Sequence, residues 1–182
     1  MYPYIRAVTM ILKGGKMSKI GVYDTHVSHH RAWPWDTDLF GEINHGRMLT
    51  LFELARWQST TRIGALGLAL KNGIYFPVAG VSVRYRKRIP TWQKYRVQTR
   101  FLSYDDRFTY VEQSMWQGDT CMSHLLLRAA IKNKKGSMTP VEFLETAGLS
   151  TENRPLPEWA QKWVDADAIR PWPPVDGPIY DS

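Results

Sequence analysis

The segment from Gly46 to Leu70 constrains the fold most, because it predicts one long helix that is apolar around most of its circumference. Apolar and small side chains recur in it at helical spacing: Met48, Leu51, Phe52, Ala55, Ser59 and Ile63. Asn72 and Gly73 then indicate where the helix stops. A helix with so little polar surface must be buried on nearly all sides, so the rest of the chain has to wrap around it.

Segments with strand-like alternation lie on both sides of this helix. One precedes it, Thr25–Trp33, and four follow it: Phe76–Ile89, Tyr95–Tyr104, Phe108–Gln117 and Cys121–Lys132. Tight turns at residues 105–106 and 118–119 join the later strands. One strand, one long helix and four antiparallel strands predict an α+β fold in which a curved antiparallel sheet wraps around the central helix.

The remaining segments predict an arm and an extension on a single domain, since 182 residues is the size of one domain. We expect an N-terminal helical arm (1–20), a core (25–135) and a C-terminal extension (136–182). The arm is a short amphipathic helix that Gly14-Gly15 should break. It is too short to span a bilayer and has no signal-cleavage pattern. Packing on the body is the favoured role, and weak contact with a membrane surface is the alternative.

The extension contains two short predicted helices, Pro140–Ala147 and Pro157–Ile169. The proline-rich residues 171–182 should be extended or wrapped on the surface. No internal repeat or low-complexity block interrupts the chain.

The formal charge of +7 favours an anionic partner: coenzyme A phosphates, a membrane surface or nucleic acid. A basic solvated surface explains the charge equally well. No nucleic-acid motif accompanies the tryptophans, so we expect no nucleic-acid partner. Cys121 is the single cysteine, which excludes a disulfide framework and a cysteine-based zinc site and fits a cytoplasmic location.

Three histidines precede the central helix, but they do not form a metal-binding pattern. Alternation places His26 and His30 on one face of a strand and His29 on the other. No further ligand lies near them in sequence. We therefore expect no metal and no cofactor.

The stretch from Trp35 to Arg56, WDTDLFGEINHGRMLTLFELAR, contains the candidate chemistry. Asp36 and Asp38 precede a turn at Gly41, and Asn44 is a favoured N-cap for the helix that follows. Free backbone N–H groups and the positive end of the helix dipole stabilise negative charge there. A carboxylate opposite such a helix end is the minimum equipment for acyl transfer.

The pattern DxDxxGxxNH followed by a helix with FELAR resembles the hotdog-fold thioesterases, specifically the acyl-CoA thioesterase-like branch of the 4-hydroxybenzoyl-CoA thioesterase-like superfamily. The matching residues are Asp36, Asp38, Gly41, Asn44, Arg47, Leu49 and Arg56. The resemblance spans roughly residues 2–135. It implies the hotdog fold and hydrolysis of an acyl-CoA to free acid and coenzyme A. It also implies a homodimer or a dimer of dimers with the site between subunits, for which Val78–Arg88 is the candidate pairing edge.

The resemblance assigns Asp38 the role of general base or of nucleophile, and the residues leave both open. The backbone N–H groups of His45, Gly46 and Arg47 would form the oxyanion hole. Asn44 would orient the water or cap the helix, and the His45 side chain is a further catalytic candidate. Glu42 stands where this branch usually has histidine, so the role of that histidine is not carried over.

Two other acids are interpreted as structural. Asp36 is expected to be a turn or salt-bridge residue. Glu53 and Arg56 are three residues apart on the helix, which predicts an ion pair. Some hotdog thioesterases, however, place their catalytic carboxylate on this helix.

The substrate is expected to lie along the helix and one basic strand. Phe52, Ala55 and Ser59 would contact the acyl chain. In VSVRYRKR, alternation places the three arginines on one face, where they would bind coenzyme A phosphates: Arg84, Arg86 and Arg88. A solvated outer face or a subunit contact would explain any one of these arginines as well.

Other functions remain open at this stage. A hotdog module that binds acyl chains or lipid without catalysis is one. A hotdog hydratase is another, although it requires a histidine and an acid at the acyl Cα–Cβ bond. A basic RNA-binding protein is a distant third. No GxSxG, P-loop or GxGxxG motif is present to support a triad hydrolase or a nucleotide-binding enzyme.

Overall fold

The structure is a computed structural model that describes residues 2–173. Its helices are α1 (Tyr4–Lys16), α2 (His45–Ile63), α3 (Ala65–Lys71), α4 (Pro140–Thr146) and α5 (Glu158–Ala168). Its strands are β1 (His26–Arg31), β2 (Val78–Tyr85), β3 (Lys94–Tyr104), β4 (Phe108–Gln117), β5 (Thr120–Asn133) and β6 (Gly136–Met138). A 3₁₀ turn spans Pro34–Asp36. The predicted strands and C-terminal helices agree with these bounds to within a few residues, and only the short β6 was not expected.

The sheet is antiparallel, with strand order β1-β3-β4-β5-β2 and β6 beside β5. Its inner face packs on α2, where Leu51, Phe52, Leu54 and Ala55 are fully buried. This is the predicted curved sheet around a central helix, the hotdog arrangement. The strand order leaves β1 and β2 at the two edges, with only their inward sides paired.

The central helix is shorter than predicted, because it ends at Ile63 rather than continuing to Leu70. Gly64 adopts a left-handed conformation (φ 93°) and its N–H bonds the carbonyls of Thr60 and Thr61, which terminates α2. α3 then starts at Ala65 and packs in a separate apolar cluster with Ile131 and Phe143. The apolar pattern continues through both helices, so periodicity alone does not reveal the break.

The N-terminal arm packs on α2, as the sequence favoured. Ala7 and Met10 are buried in the main core, while the opposite face of α1 exposes four apolar side chains, Tyr4, Ile5, Val8 and Leu12. The expected break at Gly14-Gly15 is wrong, since α1 continues through both glycines to Lys16. Tertiary packing against α2 outweighs the low helix propensity of glycine.

Gly14 is required for the close approach of α1 to α2, and Gly15 is not. A Cβ on Gly14 would lie 2.9 Å from the Gln58 carbonyl oxygen and 3.1 Å from Thr61 Cβ, whereas one on Gly15 would meet nothing nearer than 4.0 Å. We expect Gly14→Ala to lower the free energy of unfolding by about 1–3 kcal/mol through overpacking. Gly15→Ala should raise it by about 0.5–1 kcal/mol, since alanine favours the helix. Urea denaturation of the two variants measures both, and equal effects would contradict this packing.

The outer face of the sheet is covered by the C-terminal extension. Ala160 of α5 packs with Leu102, Tyr110 and Leu126. The prediction that residues 171–182 are extended or wrapped on the surface concerns mainly residues 174–182, which lie outside the described part of the chain. Across residues 2–173, none of the helices has the length and hydrophobicity needed to cross a bilayer.

Candidate active site

Asn44 caps α2, which is one of the two roles considered for it. Its Oδ1 accepts hydrogen bonds from the N–H groups of Gly46 (2.9 Å) and Arg47 (3.2 Å). Of the three N–H groups proposed as oxyanion donors, these two are therefore already occupied. The N–H of His45 carries no hydrogen bond to any residue that the structure describes. A single donor at the dipole end of α2 is thus available without disturbing the cap.

Asp36 is a buried structural residue, which confirms the salt-bridge interpretation. Its side chain is fully buried, and its two oxygens pair with Arg6 Nη1 at 2.6 Å and Arg47 Nε at 2.8 Å. Oδ2 also accepts the Trp33 N–H at 3.3 Å. One carboxylate therefore ties together α1, the 3₁₀ turn and the first turn of α2.

Asp38 lies in the tight turn that leads to α2. Its Oδ1 accepts the Phe40 N–H at 2.9 Å, and its backbone N–H bonds the Glu42 carbonyl at 2.9 Å. Gly41 permits this turn with φ 70°. The Asp38 side chain is only partly buried, and Oδ2 has no hydrogen-bond partner among the described residues. That oxygen is available to accept a hydrogen bond from a water molecule.

The Asp38 cleft brings this carboxylate beside the start of α2. The cleft has a volume of about 350 Å³ and is lined by Asp38, Glu42, Ile43, His45, Met48, Tyr85, Arg86, Lys87 and Arg88. The Tyr85 hydroxyl contacts the His45 carbonyl at 3.4 Å. Two carboxylates, an imidazole, a helix N-terminus and three cations thus share one cleft, an arrangement suited to acyl transfer from an anionic carrier.

The basic segment at residues 81–88, which includes the end of β2, does not follow the predicted alternation along its whole length. Arg86 and Arg88 line the Asp38 cleft, but Arg84 lies on the outer face of the sheet beside Glu112 and His124. Lys87, which was not predicted as a site residue, joins the first two. The N–H groups of Arg86 and Lys87 both bond the Met122 carbonyl, so the period-two alternation ends with β2.

A second, apolar pocket lies between α2 and the inner face of the sheet, with a volume of about 170 Å³. Its α2 residues are Glu53, Arg56, Trp57, Ser59, Thr60 and Ile63. Ser59 lines this pocket, whereas Phe52 and Ala55 are fully buried in the main core and do not. Contact of these three residues with an acyl chain stays a prediction. The helical stripe that lines the pocket is offset from the predicted one, because Phe52 and Ala55 pack in the main core instead.

The expected ion pair between Glu53 and Arg56 is not formed. Arg56 instead donates to Gln113 Oε1 at 2.7 Å, and Gln113 Nε2 donates to the Phe52 carbonyl (2.9 Å) and to Thr99 Oγ1 (2.8 Å). Burial lowers the pKa of Arg56 to about 10, and the charge of Glu53 opposes that shift from a longer distance. Among the described residues Glu53 has no ion-pair partner within 4.0 Å, although Arg56, which interacts with it at longer range, lines the same pocket.

The histidines follow the expected alternation: His26 and His30 are buried and His29 is exposed. No cluster of three or more potential metal ligands occurs within residues 2–173.

Solved structures similar to this chain define the fold class. A probable thioesterase from Escherichia coli, YbaW, superposes with a TM-score of 0.60 at 14% identity, covering 66% of this chain and 94% of that one. A 1,4-dihydroxy-2-naphthoyl-CoA thioesterase from Synechocystis does so with a TM-score of 0.57 at 12% identity, covering 68% and 96%. At these identities the likeness shows the fold, and the fold is that of the hotdog thioesterases.

Residues 32–164 match the model of the thioesterase-like superfamily, and the chain belongs to that family. Protein THEM6 of Drosophila melanogaster is 28% identical over 168 residues, covering 90% of this chain and 84% of the relative. Protein THEM6 of Xenopus laevis is 34% identical over 111 residues (60% and 54%). A probable thioesterase of Saccharomyces cerevisiae is 27% identical over 124 residues (66% and 54%). The match spans about half the length of the last two. Family membership supports thioester hydrolysis as the general chemistry.

Proposed function

We propose that this protein hydrolyses an acyl-CoA to the free acid and coenzyme A at the Asp38 cleft. The observation that carries the proposal is that Asp38, His45 at the start of α2 and three cationic side chains line one cleft. Arg86, Lys87 and Arg88 are the proposed partners of the coenzyme A phosphates, since guanidinium and ammonium groups bind phosphate strongly.

The proposed reaction uses water and needs no cofactor. Asp38 Oδ2 takes a proton from a water molecule whose oxygen attacks the thioester carbonyl carbon. The carbonyl oxygen becomes an oxyanion opposite the His45 N–H and the α2 dipole. Its collapse breaks the C–S bond, and the proton held by Asp38 passes to the departing thiolate. Direct attack by Asp38 to form an anhydride, which water then cleaves, is the alternative route.

The apolar pocket beside α2 is the proposed site for the acyl chain. Its lining is mostly aliphatic and aromatic, from α2, β2, β4, β5 and α4. Glu53 lies in this pocket without an ion-pair partner, and this makes it the alternative catalytic base. A binder without catalysis is the second candidate function, favoured by the Asn44 cap that occupies two of the three expected oxyanion donors.

A panel of acyl-CoA thioesters tests the proposal. Short, long and aromatic acyl-CoAs are incubated with the full chain, and the released thiol is followed over time. Saturable turnover of one class supports the thioesterase and names its substrate. No turnover of any member, with an acyl-CoA nevertheless raising the melting temperature, would instead establish the binder.

We further propose that β2 pairs with β2 of a second copy. β2 is an edge strand, and Val78, Val81 and Tyr85 on it are exposed, as are the apolar side chains Leu39 and Phe40 at the tip of the Asp38 turn. An unpaired edge with exposed apolar side chains is a template for strand pairing. A dimer formed here would place the Asp38 cleft next to the partner.

Val81→Lys should weaken such a dimer by at least about tenfold, because each two-fold interface would contain two added like charges. Sedimentation velocity across a concentration series measures the change, with the wild type expected at twice the 21.1 kDa chain mass. Val141→Lys on α4, at a similarly exposed valine, is the matched control and should leave the dimer intact. A wild type that stays monomeric, or a control that dissociates equally, would contradict pairing through β2.

A further inference from the structure

A large basic cleft lies between α1 and the strands β1 and β3. Its volume is about 650 Å³, and five cationic side chains line it: Arg6, Lys13, Arg31, Lys94 and Arg96. β1 and β3 form one edge of the sheet, whereas the Asp38 cleft lies beside the end of β2 at the other edge. The two clefts share no lining residue.

Little acidic charge offsets these cations. Arg6 pairs with the buried Asp36, and Arg96 lies 3.9 Å from the fully exposed Asp119. Lys13, Arg31 and Lys94 have no acidic partner within 4.0 Å among residues 2–173. The cleft therefore has an excess of positive charge, which attracts anions.

Two buried side chains that line the same cleft, only 7% and 3% exposed, each have one polar atom without a hydrogen-bond partner among the described residues: His30 Nδ1 and the Tyr95 hydroxyl. Arg6 lies near enough to Tyr95 to oppose the effect of burial on its pKa. The rings of His30 and Tyr95 stack at a centroid distance of 5.4 Å. Buried polar groups are nearly always paired, so these two adjacent atoms favour a bound ligand that forms hydrogen bonds with them.

Both groups can donate to such a ligand. His30 Nε2 lies 2.8 Å from Ser28 Oγ, whose alternative bond to the Val97 carbonyl is long at 3.4 Å. When Ser28 donates to Nε2, the ring proton is on Nδ1 and is available. Burial lowers the pKa of His30 to about 3 and raises that of Tyr95, so both stay neutral donors at physiological pH.

Two tryptophan side chains form part of the cleft wall. Trp33 and Trp116 line it, each beneath a guanidinium: Arg31 over the first and Arg96 over the second, at 5.9 Å from the ring centroid in both cases. These cation–π contacts hold the guanidiniums over the rings without neutralising them. The volume and the flat walls provide room for more than an inorganic ion.

We propose that this cleft binds the phosphate group of a phosphomonoester, with Tyr95 and His30 as neutral donors at its floor and the lysines and arginines around it. A phosphomonoester dianion matches several cations better than a carboxylate does, and its three oxygens can accept from the floor and the rim together. A soluble ester and the headgroup of a phosphatidic acid bilayer both present this chemistry. The exposed apolar face of α1 beside the cleft would contact the bilayer in the second case.

Titration calorimetry of the full chain with inorganic phosphate and with glycerol 3-phosphate, at fixed ionic strength, tests the site. Saturable binding is expected, and Tyr95→Phe should weaken it about tenfold. The melting temperature of this variant without ligand should be unchanged or higher, because the substitution removes only a buried hydroxyl that has no hydrogen-bond partner. Lys94→Gln should weaken binding similarly. Lys71→Gln removes an exposed cation at the end of α3 and is the matched control, expected to bind as the wild type does.

Flotation with phosphatidylcholine vesicles, with and without phosphatidic acid, separates the two sources. Saturation by the soluble ester assigns the site to a soluble phosphate. Binding only to phosphatidic acid vesicles, weakened by Tyr95→Phe, assigns it to a lipid headgroup. The proposal fails if no probe binds, if Tyr95→Phe binds as the wild type, or if Lys71→Gln loses as much affinity as Lys94→Gln. Acyl-CoA hydrolysis by the same variants should stay at the wild-type rate, so this outcome is independent of the thioesterase proposal.

Discussion

Replacing Asp38 by asparagine is expected to lower kcat for the preferred acyl-CoA by about 10²–10⁴-fold, which is the usual contribution of a positioned general base. Asparagine retains the size of the side chain and its acceptor oxygen for the Phe40 N–H, but it cannot take a proton. Because Asp38 is only partly buried and makes no ion pair in the described part of the chain, the melting temperature should hardly change. Thiol release under saturating substrate measures the loss.

Glu53→Gln is the matched control, since it neutralises the carboxylate in the apolar pocket without changing its shape. If Asp38 is the base, Glu53→Gln should keep kcat within about tenfold of the wild type, well short of the loss expected on removing a general base. A large loss of kcat for Glu53→Gln with little loss for Asp38→Asn would instead identify Glu53 on α2 as the base. The reaction would then take place at the apolar pocket. A small effect of both variants would exclude either carboxylate as the base.

Replacing Asp36 by asparagine is expected to lower the free energy of unfolding by about 3–5 kcal/mol, the cost of removing one partner from a buried ion pair. The change leaves Arg6 and Arg47, both largely buried, without the carboxylate that they share. Urea denaturation, with the slope checked for constancy, gives the difference. Asp38→Asn provides the control, as it neutralises an aspartate two residues away.

A loss below about 1 kcal/mol for Asp36→Asn, the value typical of exposed pairs, would mean that the Asp36 contacts are not maintained in solution. Together the two aspartate variants separate stability from chemistry. We expect Asp36→Asn to destabilise and Asp38→Asn to inactivate. Equal destabilisation by both would show that the turn itself depends on each carboxylate.

The sheet and the buried helix could be predicted from the sequence because alternation and helical spacing report burial directly. The helix break at Gly64 could not, because a glycine inside an apolar helical pattern costs only about 1 kcal/mol and does not by itself end a helix. The opposite error was made at Gly14 and Gly15, where a helix break was predicted. Packing of α1 against α2 keeps both residues helical.

Part of the candidate site was equally beyond the sequence. The N-cap at Asn44 depends on local pattern and was one of the two roles predicted for that residue. Asp36 was predicted to be a turn or salt-bridge residue, but its partners Arg6 and Arg47 lie 30 and 11 positions away and were not identified. Arg56 bonding Gln113 depends on two residues 57 positions apart that only the folded sheet brings together. Lys87 lines the Asp38 cleft because the alternation stops at the end of β2, and no residue signals that stop.

The place of α1 and β1 in the fold has a practical consequence for where this chain can be cut. The family match begins at Ala32, after both elements. A protein trimmed to the match would lack the strand that pairs with β3 from residue 26 to 31, and Asp36 would lose Arg6. The bare β3 would become an aggregation-prone edge. The shortest independently folding unit therefore begins upstream of the segment that sequence similarity defines, near the start of α1.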